Sequence, residues 1–537
     1  MGTDISVAPT YFSLMANERF KDMGALSAYV VEGASNGFKC HFESDPPQGL
    51  FNKANYKSAL EDADRISTSL QDRISKGRTI GPFLWEGSLP LGYSSLFVNP
   101  LGSIPYKYEP WRSRPIDDPI VNEYLWAPYF PMPTLGLIRA FSSPGCWYGL
   151  QDVASAFPCL PLHPSMWPYF GFLWNDLRPG AETPSPSLYL HTHGLFGPRD
   201  LPYIWTMYML FVSMAAVHLG IPLVAPYLDD ICHVRDRRSE VAFDMHRTSE
   251  HLEDCGTPDK VSKRQGPFQK GAILGRLFDS KSFTISVPAD KMQRLIASLK
   301  RVFSESRNTS GKVTCKDYRE FCGYASFVGS VLHKAFQSYL APIFALLHLT
   351  SSRRPHNRIR LSAEAVAAGR ALIHDIHRFD RTVSINTDYT HTRTTRVYSD
   401  ASGAPSLGWG YVSLKSFRAG IFGPPMCDWH IDILELLALL YGVQAHAESW
   451  RGCIVPLYCD NEAVVGWVKR GRAKAATLER RLIANSILRE LFALSLQYDF
   501  LFELTWLASK ENEMADALSR GDYARFCTTY AEHKEWH

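Results

Sequence analysis

Asp152, Asp229 and Asp230 are the residues whose types and surroundings most directly suggest chemistry. Asp229 and Asp230 follow Tyr227-Leu228 between two apolar stretches, residues 222–226 and 231–234, a pattern that predicts a strand, a tight bend and a second strand. Two anions held together at such a bend repel each other, and a divalent cation faced by both resolves the repulsion. Asp is also a favoured turn residue, so the hairpin alone fits an ordinary surface turn. A further carboxylate shifts that balance: Asp152-Val153-Ala154-Ser155-Ala156-Phe157, followed by Leu160-Pro161-Leu162-His163-Pro164. Three carboxylates form the set that two-metal phosphoryl transfer needs, one ion activating the attacking hydroxyl and the other steadying the departing pyrophosphate.

Four more carboxylates recur downstream. Asp400 lies in Val397-Tyr398-Ser399-Asp400-Ala401-Ser402, which reads as a strand, with Leu407-Gly408-Trp409-Gly410 starting its partner after a turn. Glu435 sits in a run of helical periodicity over 431–439. Asp460 ends the strand expected over 454–459, and Asp516 lies in Glu511-Asn512-Glu513-Met514-Ala515-Asp516-Ala517-Leu518-Ser519-Arg520. Any one of them alone would pass for a solvated surface acid.

The order of these blocks resembles reverse transcriptases, with wording closest to retroelements of the tyrosine-recombinase (DIRS-type) class. The resemblance runs from about residue 76 to 520. It is carried by Gly77-Arg78-Thr79-Ile80-Gly81-Pro82-Phe83, Asn99-Pro100-Leu101-Gly102-Ser103-Ile104-Pro105-Tyr106-Lys107, the Asp152 block, Gly194-Leu195-Phe196-Gly197-Pro198-Arg199-Asp200, Tyr227 to Asp230, and Lys263-Arg264-Gln265-Gly266-Pro267 leading to Leu274-Gly275. The downstream Asp, Glu, Asp, Asp series resembles a ribonuclease H domain. The resemblance implies an RNA-directed DNA polymerase that also degrades the RNA of RNA-DNA hybrids. Its partners would be an RNA template, a DNA primer, the hybrid and dNTPs. Each site would take two Mg²⁺ ions, with Mn²⁺ as the alternative, held by Asp152, Asp229 and Asp230 and by Asp400, Glu435, Asp460 and Asp516; an oxygen-only ligand set suits such hard cations.

The same resemblance assigns supporting residues. Lys107 and Arg114 would hold the incoming triphosphate, with Arg112 competing for that task and a surface ion pair as the bland reading of each. Phe157 would be the aromatic gate against a 2′-hydroxyl, or an ordinary core aromatic. Phe196 and Gly197 would line the nucleotide and template side, Arg199 could reach a template phosphate, and Lys263 would meet pyrophosphate. One departure stands out: many ribonucleases H carry a His before the last Asp, and here Trp506-Leu507-Ala508-Ser509-Lys510-Glu511 has none.

These residues need elements to position them. The expected fold is α/β and multidomain: a right-hand polymerase with fingers, palm and thumb, a helical connection, and a ribonuclease-H-like mixed sheet flanked by helices. Residues 1–75 form an N-terminal extension of unassigned role, with a lead-in helix over 56–76. Fingers and palm span 76–288, and a mostly helical thumb and connection span 289–380, with helices over 292–304, 316–347 and 363–379. A polar linker covers 381–394, the ribonuclease-H-like domain 395–522 and a charged tail 523–537. Two basic runs, Arg353-Arg354 with His356, Arg358 and Arg360, and Lys469-Arg470-Gly471-Arg472 with Lys474, Arg480 and Arg481, suit contact with a phosphate backbone.

Composition sets the outer limits. The 537 residues, 45% hydrophobic and 21% charged, belong to a folded chain of several domains. A net charge of +3 makes nucleic-acid binding a matter of local patches. Eleven cysteines without a C-x-x-C pair suit a reducing, intracellular compartment, cytoplasm or nucleus. The apolar stretch 204–228 is interrupted by Gly220, Pro222 and Pro226 and reads as a buried palm helix leading to the Tyr227 strand rather than as a membrane span. No secretory signal is visible, and Met1-Gly2-Thr3-Asp4-Ile5-Ser6 fits a loose myristoylation pattern. Two other readings stay open: a domesticated, non-catalytic nucleic-acid-binding scaffold, and a polymerase preferring a DNA template.

Overall fold

The computed structural model describes residues 23–90, 92–105, 113–126, 134–175, 186–221, 225–304, 311–333, 335–351, 353–385, 390–391, 396–413 and 416–532. Lys107, Arg112 and the Met1 to Ser6 pattern lie outside them. The chain divides into two compact mixed α/β units, Met1–Ile273 and Leu274–His537, a cut that falls short of the expected boundary after residue 288.

The first unit is built on the helix Leu201–His218. Tyr203, Ile204, Trp205, Met207 and Met209 are almost wholly buried, as expected for a helix that is apolar all round. Its length and composition would allow a membrane crossing, yet 67% of it is buried inside the protein. Its N-cap residue, Asp200, is fully buried and accepts the His41 backbone N–H at 2.7 Å. That bond ties the preceding chain to the core: the helix Met23–Asn36 adds Leu26 and Val30 to the same apolar cluster, and Gly49–Asn52 pairs in parallel with Ser95–Val98. Residues 23–75 are therefore packed into the unit. Its expected lead-in helix is broken in two at Asp62, as Lys57–Glu61 and Ala63–Ser75.

Two sheets flank this core. One orders Gly49–Asn52, Ser95–Val98, Gly171–Asn175, Pro186–His191 and Thr79–Phe83. The other orders Gln265–Phe268, Trp147–Asp152, Asp230–Arg235 and Ala225–Tyr227. The helix Arg238–Asp254 packs on the second sheet closely enough that a Cβ at Gly149 would meet Met245 Sδ at 2.5 Å.

The second unit holds a mixed sheet ordered Phe417–Ile421, Gly408–Ser413, Val397–Ala401, Cys453–Cys459 and Leu501–Trp506. Among the first three strands each is antiparallel to its neighbour, and the last two run parallel to Val397–Ala401. The helix Ile431–His446 covers the sheet through Leu436, Leu439 and Val443. The helices Ala289–Phe303, Cys315–Gly329, Ala335–Phe344 and Ala363–Asp375 precede this sheet.

Three expectations are corrected here. The helix expected over 316–347 is two helices, ending at Gly329 and restarting at Ala335, because the chain turns at Ser330 and Val331 to fold the second helix back. The expected linker supplies a strand, Thr382–Ser384, paired with Thr284–Ser286; its Thr and Val suit a pleated strand. The expected charged tail is in part a helix, Tyr523–Glu532, held by Phe526, which is 2% exposed and packs on Phe417 and Tyr530.

Candidate active sites

In the first unit the hairpin register does the positioning. Asp230 is the Cα partner of Asp152 across the antiparallel pair, and of Tyr227 across the bend. Directly opposed residues project their side chains to the same face about 5 Å apart, so Asp152 and Asp230 stand side by side, with Asp229 in the bend itself. Leu228 takes a left-handed φ of 53° there, and its carbonyl accepts the Trp205 indole N–H at 3.0 Å. The core helix thereby fixes a strained turn. The Val153 N–H donates to the Asp229 carbonyl at 2.8 Å, which locks the two aspartate segments together.

Electrostatics follow from this crowding. Burial raises the Asp229 pKa, and the Asp152 charge adds to it. Asp230 reaches solvent at its side chain, yet surrounding protein, then Asp229 and Asp152, push it up to about 6. The Lys263 ammonium donates to Asp152 Oδ2 at 2.6 Å. Partial burial works against that charge, but the Asp152 bond and the three carboxylates together hold the Lys263 pKa above its ordinary value.

Asp152 and Asp229 line a cleft of about 460 Å³ whose other walls carry Arg65, Arg73, Arg78, Arg114, Lys260 and Lys263. Cations facing carboxylates across a cleft suit a polyanion that bridges them, with a metal ion at the carboxylate end. Arg73 is braced from behind: Asp117, buried, lies 3.5 Å from its guanidinium and accepts from His191 Nε2 at 3.0 Å. Burial alone would raise the Asp117 pKa, but His191 and Arg73 outweigh it and hold it below the usual range. Arg65, Arg73, Lys260, Asp117 and His191 were not singled out from sequence, and Arg78 was quoted there only as part of a motif block.

The aromatic and glycine candidates separate. Phe157 is 9% exposed and packs edge-on against Phe196 and Trp205, with ring centroids 5.0 and 6.4 Å away. It belongs to the core cluster, whereas Phe196, 51% exposed, reaches the cleft. Gly197 has a φ of 131°, and a Cβ there would lie 2.6 Å from the Asp117 carbonyl; the close approach it permits is to protein. Arg199 is exposed, and its backbone N–H donates to Asn122.

The second unit gathers the other four carboxylates. Asp400, on the strand Val397–Ala401, is 4% exposed, and Glu435, on the helix Ile431–His446, is 5% exposed. Asp460 follows the strand Cys453–Cys459, and Asp516 lies on the helix Glu513–Ser519. Glycine is what lets that helix come close: a Cβ at Gly408 would stand 1.9 Å from the Ser519 carbonyl, and one at Gly410 would stand 2.5 Å from Leu518 Cβ. Ser402 Oγ donates to the same Ser519 carbonyl, Asn512 bridges to the Ser399 carbonyl, and the Ser519 hydroxyl donates to Asp400.

Burial pushes Asp400 up to about 7, with the charges of Asp460 and Asp516 adding to it. Glu435 is raised by burial and then by Asp400 and Asp460. Mutual repulsion of this kind marks a set of oxygen donors suited to hard divalent cations. Asp516 is met by Arg520 at 2.6 Å and Arg525 at 2.9 Å. Trp506 Nε1 donates to the Asp460 carbonyl, and the loop before Asp516 forms a short turn over Ser509–Glu511. Among the described residues, one group of three has all its ligand atoms within 4.8 Å of one another: Glu435, Asp460 and Cys459.

The basic runs also divide. Arg353, Arg354, His356 and Arg358 are exposed. Lys469 and Arg470 line a cleft of about 880 Å³ with Gln337, Ser338, Glu503 and Thr505. Arg481 is committed elsewhere, in an ion pair with Glu364 and hydrogen bonds to the Ala475 and Ala476 carbonyls.

No protein-family model and no curated protein matches the chain. Solved structures similar to it are of a foamy viral protease-reverse transcriptase. The complex of its dRH form with double-stranded DNA is 13% identical at a TM-score of 0.45, covering 93% of this chain and 81% of that one. The complex with RNA/DNA hybrid is 12% identical at 0.45, covering 93% and 62%. That with double-stranded DNA is 13% identical at 0.44, covering 94% and 98%. Likeness at this level decides nothing about the chemistry of this chain.

Proposed function

We propose that the chain is an RNA-directed DNA polymerase, a reverse transcriptase of the tyrosine-recombinase (DIRS-type) retroelement class, carrying a ribonuclease H that cuts RNA-DNA hybrids. The observation that carries the reading is the register that sets Asp230 opposite Asp152, with Asp229 in the bend, and the cleft that Asp152 and Asp229 line together with Arg65, Arg73, Arg78, Arg114, Lys260 and Lys263. Mg²⁺, or Mn²⁺, held by Asp152, Asp229 and Asp230 would supply neutralisation of phosphate charge and activation of the primer hydroxyl. Arg114, Arg78 and the braced Arg73 would bind the triphosphate of an incoming dNTP. Lys263 would leave Asp152 to meet the departing pyrophosphate, and Phe196 offers a face on which a base or sugar can pack.

In the second unit, Asp400, Glu435, Asp460 and Asp516 would hold the ions of the nuclease. The sheet, three antiparallel strands followed by two parallel to the first, supports a ribonuclease-H-like arrangement. Ser519 orients Asp400, and Arg520 and Arg525 orient Asp516 while offering charge to a hybrid backbone. The exposed Arg353, Arg354 and Arg358, together with Lys469 and Arg470, would follow template and primer phosphates. Eleven free thiols favour a reducing, intracellular setting.

Primer extension by the purified chain tests the reading, on RNA and DNA templates, with dNTPs or rNTPs, with and without Mg²⁺. Mg²⁺-dependent extension with dNTPs on RNA supports it. A chain that binds primer-template and extends nothing would be the non-catalytic scaffold, and one that copies DNA alone would be a DNA-templated polymerase.

A further inference from the structure

A thiol stands inside the carboxylate group of the second unit. Cys459 is fully buried at the end of its strand, and its Sγ lies 3.9 Å from Glu435 Oε2. The ligand atoms of Glu435, Cys459 and Asp460 all fall within 4.8 Å of one another. A tetrahedral zinc ion with sulfur at about 2.3 Å and oxygen at about 2.1 Å holds those two atoms about 3.6 Å apart. Cys459 and Glu435 are thus within a small side-chain adjustment of that geometry. A second polar group lies on the same face of the sheet: Ser399 is the Cα partner of Cys459 in the parallel register, and paired residues project to one face. Its hydroxyl is fully buried and has no hydrogen-bond partner. Asp460 is partly exposed and leaves an ion a way in from solvent.

We propose that Glu435, Cys459 and Asp460 form a binding site for a thiophilic divalent cation, of the Zn²⁺ or Cd²⁺ class, that competes with Mg²⁺ for the same carboxylates. Sulfur selects such ions, while Mg²⁺ takes oxygen. On binding, the Cys459 S–H bond breaks, its electron pair goes to the metal and the proton leaves to water, so no oxidant or reductant is needed. Sharing Glu435 and Asp460 makes the ion an inhibitor of hybrid cleavage, a consequence that rests on the nuclease reading; the binding itself does not.

Titration of the metal-free full-length chain with Cd²⁺ tests this, followed by the ultraviolet thiolate-to-cadmium charge-transfer band and by calorimetry, against Cys459→Ser, Cys459→Thr and Glu435→Gln. The wild type should bind one tight equivalent with a band that both Cys459 variants lack, and Glu435→Gln should weaken it roughly tenfold or more. The exposed thiols Cys427 and Cys527 give a background common to all four proteins. Circular dichroism and thermal unfolding in EDTA establish that the variants are folded. An equal band and stoichiometry in wild type and a folded Cys459 variant would overturn the site. Half-inhibition of Mg²⁺-supported cleavage at a Zn²⁺ concentration about tenfold lower in wild type than in Cys459→Ser supports site and nuclease together. A Cys459-dependent band in a chain that never cuts the hybrid upholds the site and sinks the nuclease reading. Cleavage without such a band does the reverse.

Discussion

Lys263 Nζ lies 2.6 Å from Asp152 Oδ2, so the segment after the Asp229-Asp230 hairpin returns to neutralise the carboxylate that the hairpin sits against. A metal ion bound at Asp152, as proposed, would compete with this lysine for one oxygen, and a polyphosphate that draws the ammonium away would release Asp152 to the metal. Replacing Asp152 or Asp229 by Asn keeps size and removes a charge that the proposed metal site needs. Primer extension should fall by at least ~10²-fold, the scale of losing electrostatic stabilisation of a transition state, while hybrid cleavage persists. Near wild-type extension by Asp229→Asn would remove the assignment.

Under the proposed function, sugar selection would fall to two aromatics, Phe157 and Phe196. Phe157 backs onto Phe196 in the core, so Phe157→Val acts on the cleft through its neighbour and also costs packing, about 1–3 kcal/mol for such a truncation. The expected outcome is a rise in ribonucleotide use relative to deoxyribonucleotide use, measured as a ratio of kcat/KM values, with overall extension reduced. A constant ratio in a folded variant would leave Phe157 as core alone.

Gly408 tests the approach of the helix that carries Asp516. The atom a Cβ would strike is the Ser519 backbone carbonyl at 1.9 Å, which cannot rotate aside. Gly408→Ala must therefore move the helix, and with it Asp516 and the hydroxyl that holds Asp400. Overpacking should cost about 1–3 kcal/mol, and misplacement of the carboxylates should lower hybrid cleavage about 10²-fold. Thermal unfolding and cleavage rates check both; unchanged cleavage would mean that this contact does not position the site.

The carboxylates were legible in the sequence because their settings are local: a bend between apolar runs for Asp229 and Asp230, strand ends for Asp400 and Asp460. Their partners were not. Arg65 and Arg73 sit on a mixed-charge amphipathic helix that looks like any solvated face, and only tertiary packing turns it toward Asp152. The Asp117 and His191 brace joins residues 74 apart in the chain. Gly408 and Gly410 read as a turn and strand start, and their purpose appears only with the helix packed on them. Cys459 reads as a core strand residue, since nothing in the sequence places Glu435 beside it. In the final segment the charges drew the reading to a tail, while Phe526 and Tyr530, four residues apart on one helical face, anchor it.

Stability of the metal-free protein should fall as pH rises. Burial and neighbouring charge push Asp400 up to about 7, against about 3.9 for a free aspartate. The folded state therefore binds more protons than the unfolded state between those values, and its stability declines with pH across that window, by at most about 1.4 kcal/mol per pH unit for one group. In EDTA the thermal midpoint should drop from pH 5 to pH 8, less steeply in Asp400→Asn. Mg²⁺ should restore it at pH 8 and have little effect at pH 5. A wild-type curve no steeper than that of Asp400→Asn would count against a repelling carboxylate cluster.

The two chemistries should be separable in one chain. Asp460 is partly exposed at the end of its strand, and its backbone carbonyl is held by the Trp506 indole, so Asp460→Asn removes charge without disturbing the strand. Release of RNA fragments from an RNA-DNA hybrid should fall by at least ~10²-fold, as expected when one ligand of a two-metal site is lost. Primer extension should stay near wild type, because Asp152, Asp229 and Asp230 belong to another unit of the chain. Retained cleavage would take Asp460 out of the nuclease. Joint loss of both activities, with unfolding unchanged, would mean that the sites are coupled through a shared hybrid rather than independent. A wild type that extends primers with Mg²⁺ and never cuts the hybrid would leave the second unit a hybrid-binding module, its missing loop His then the first position to restore.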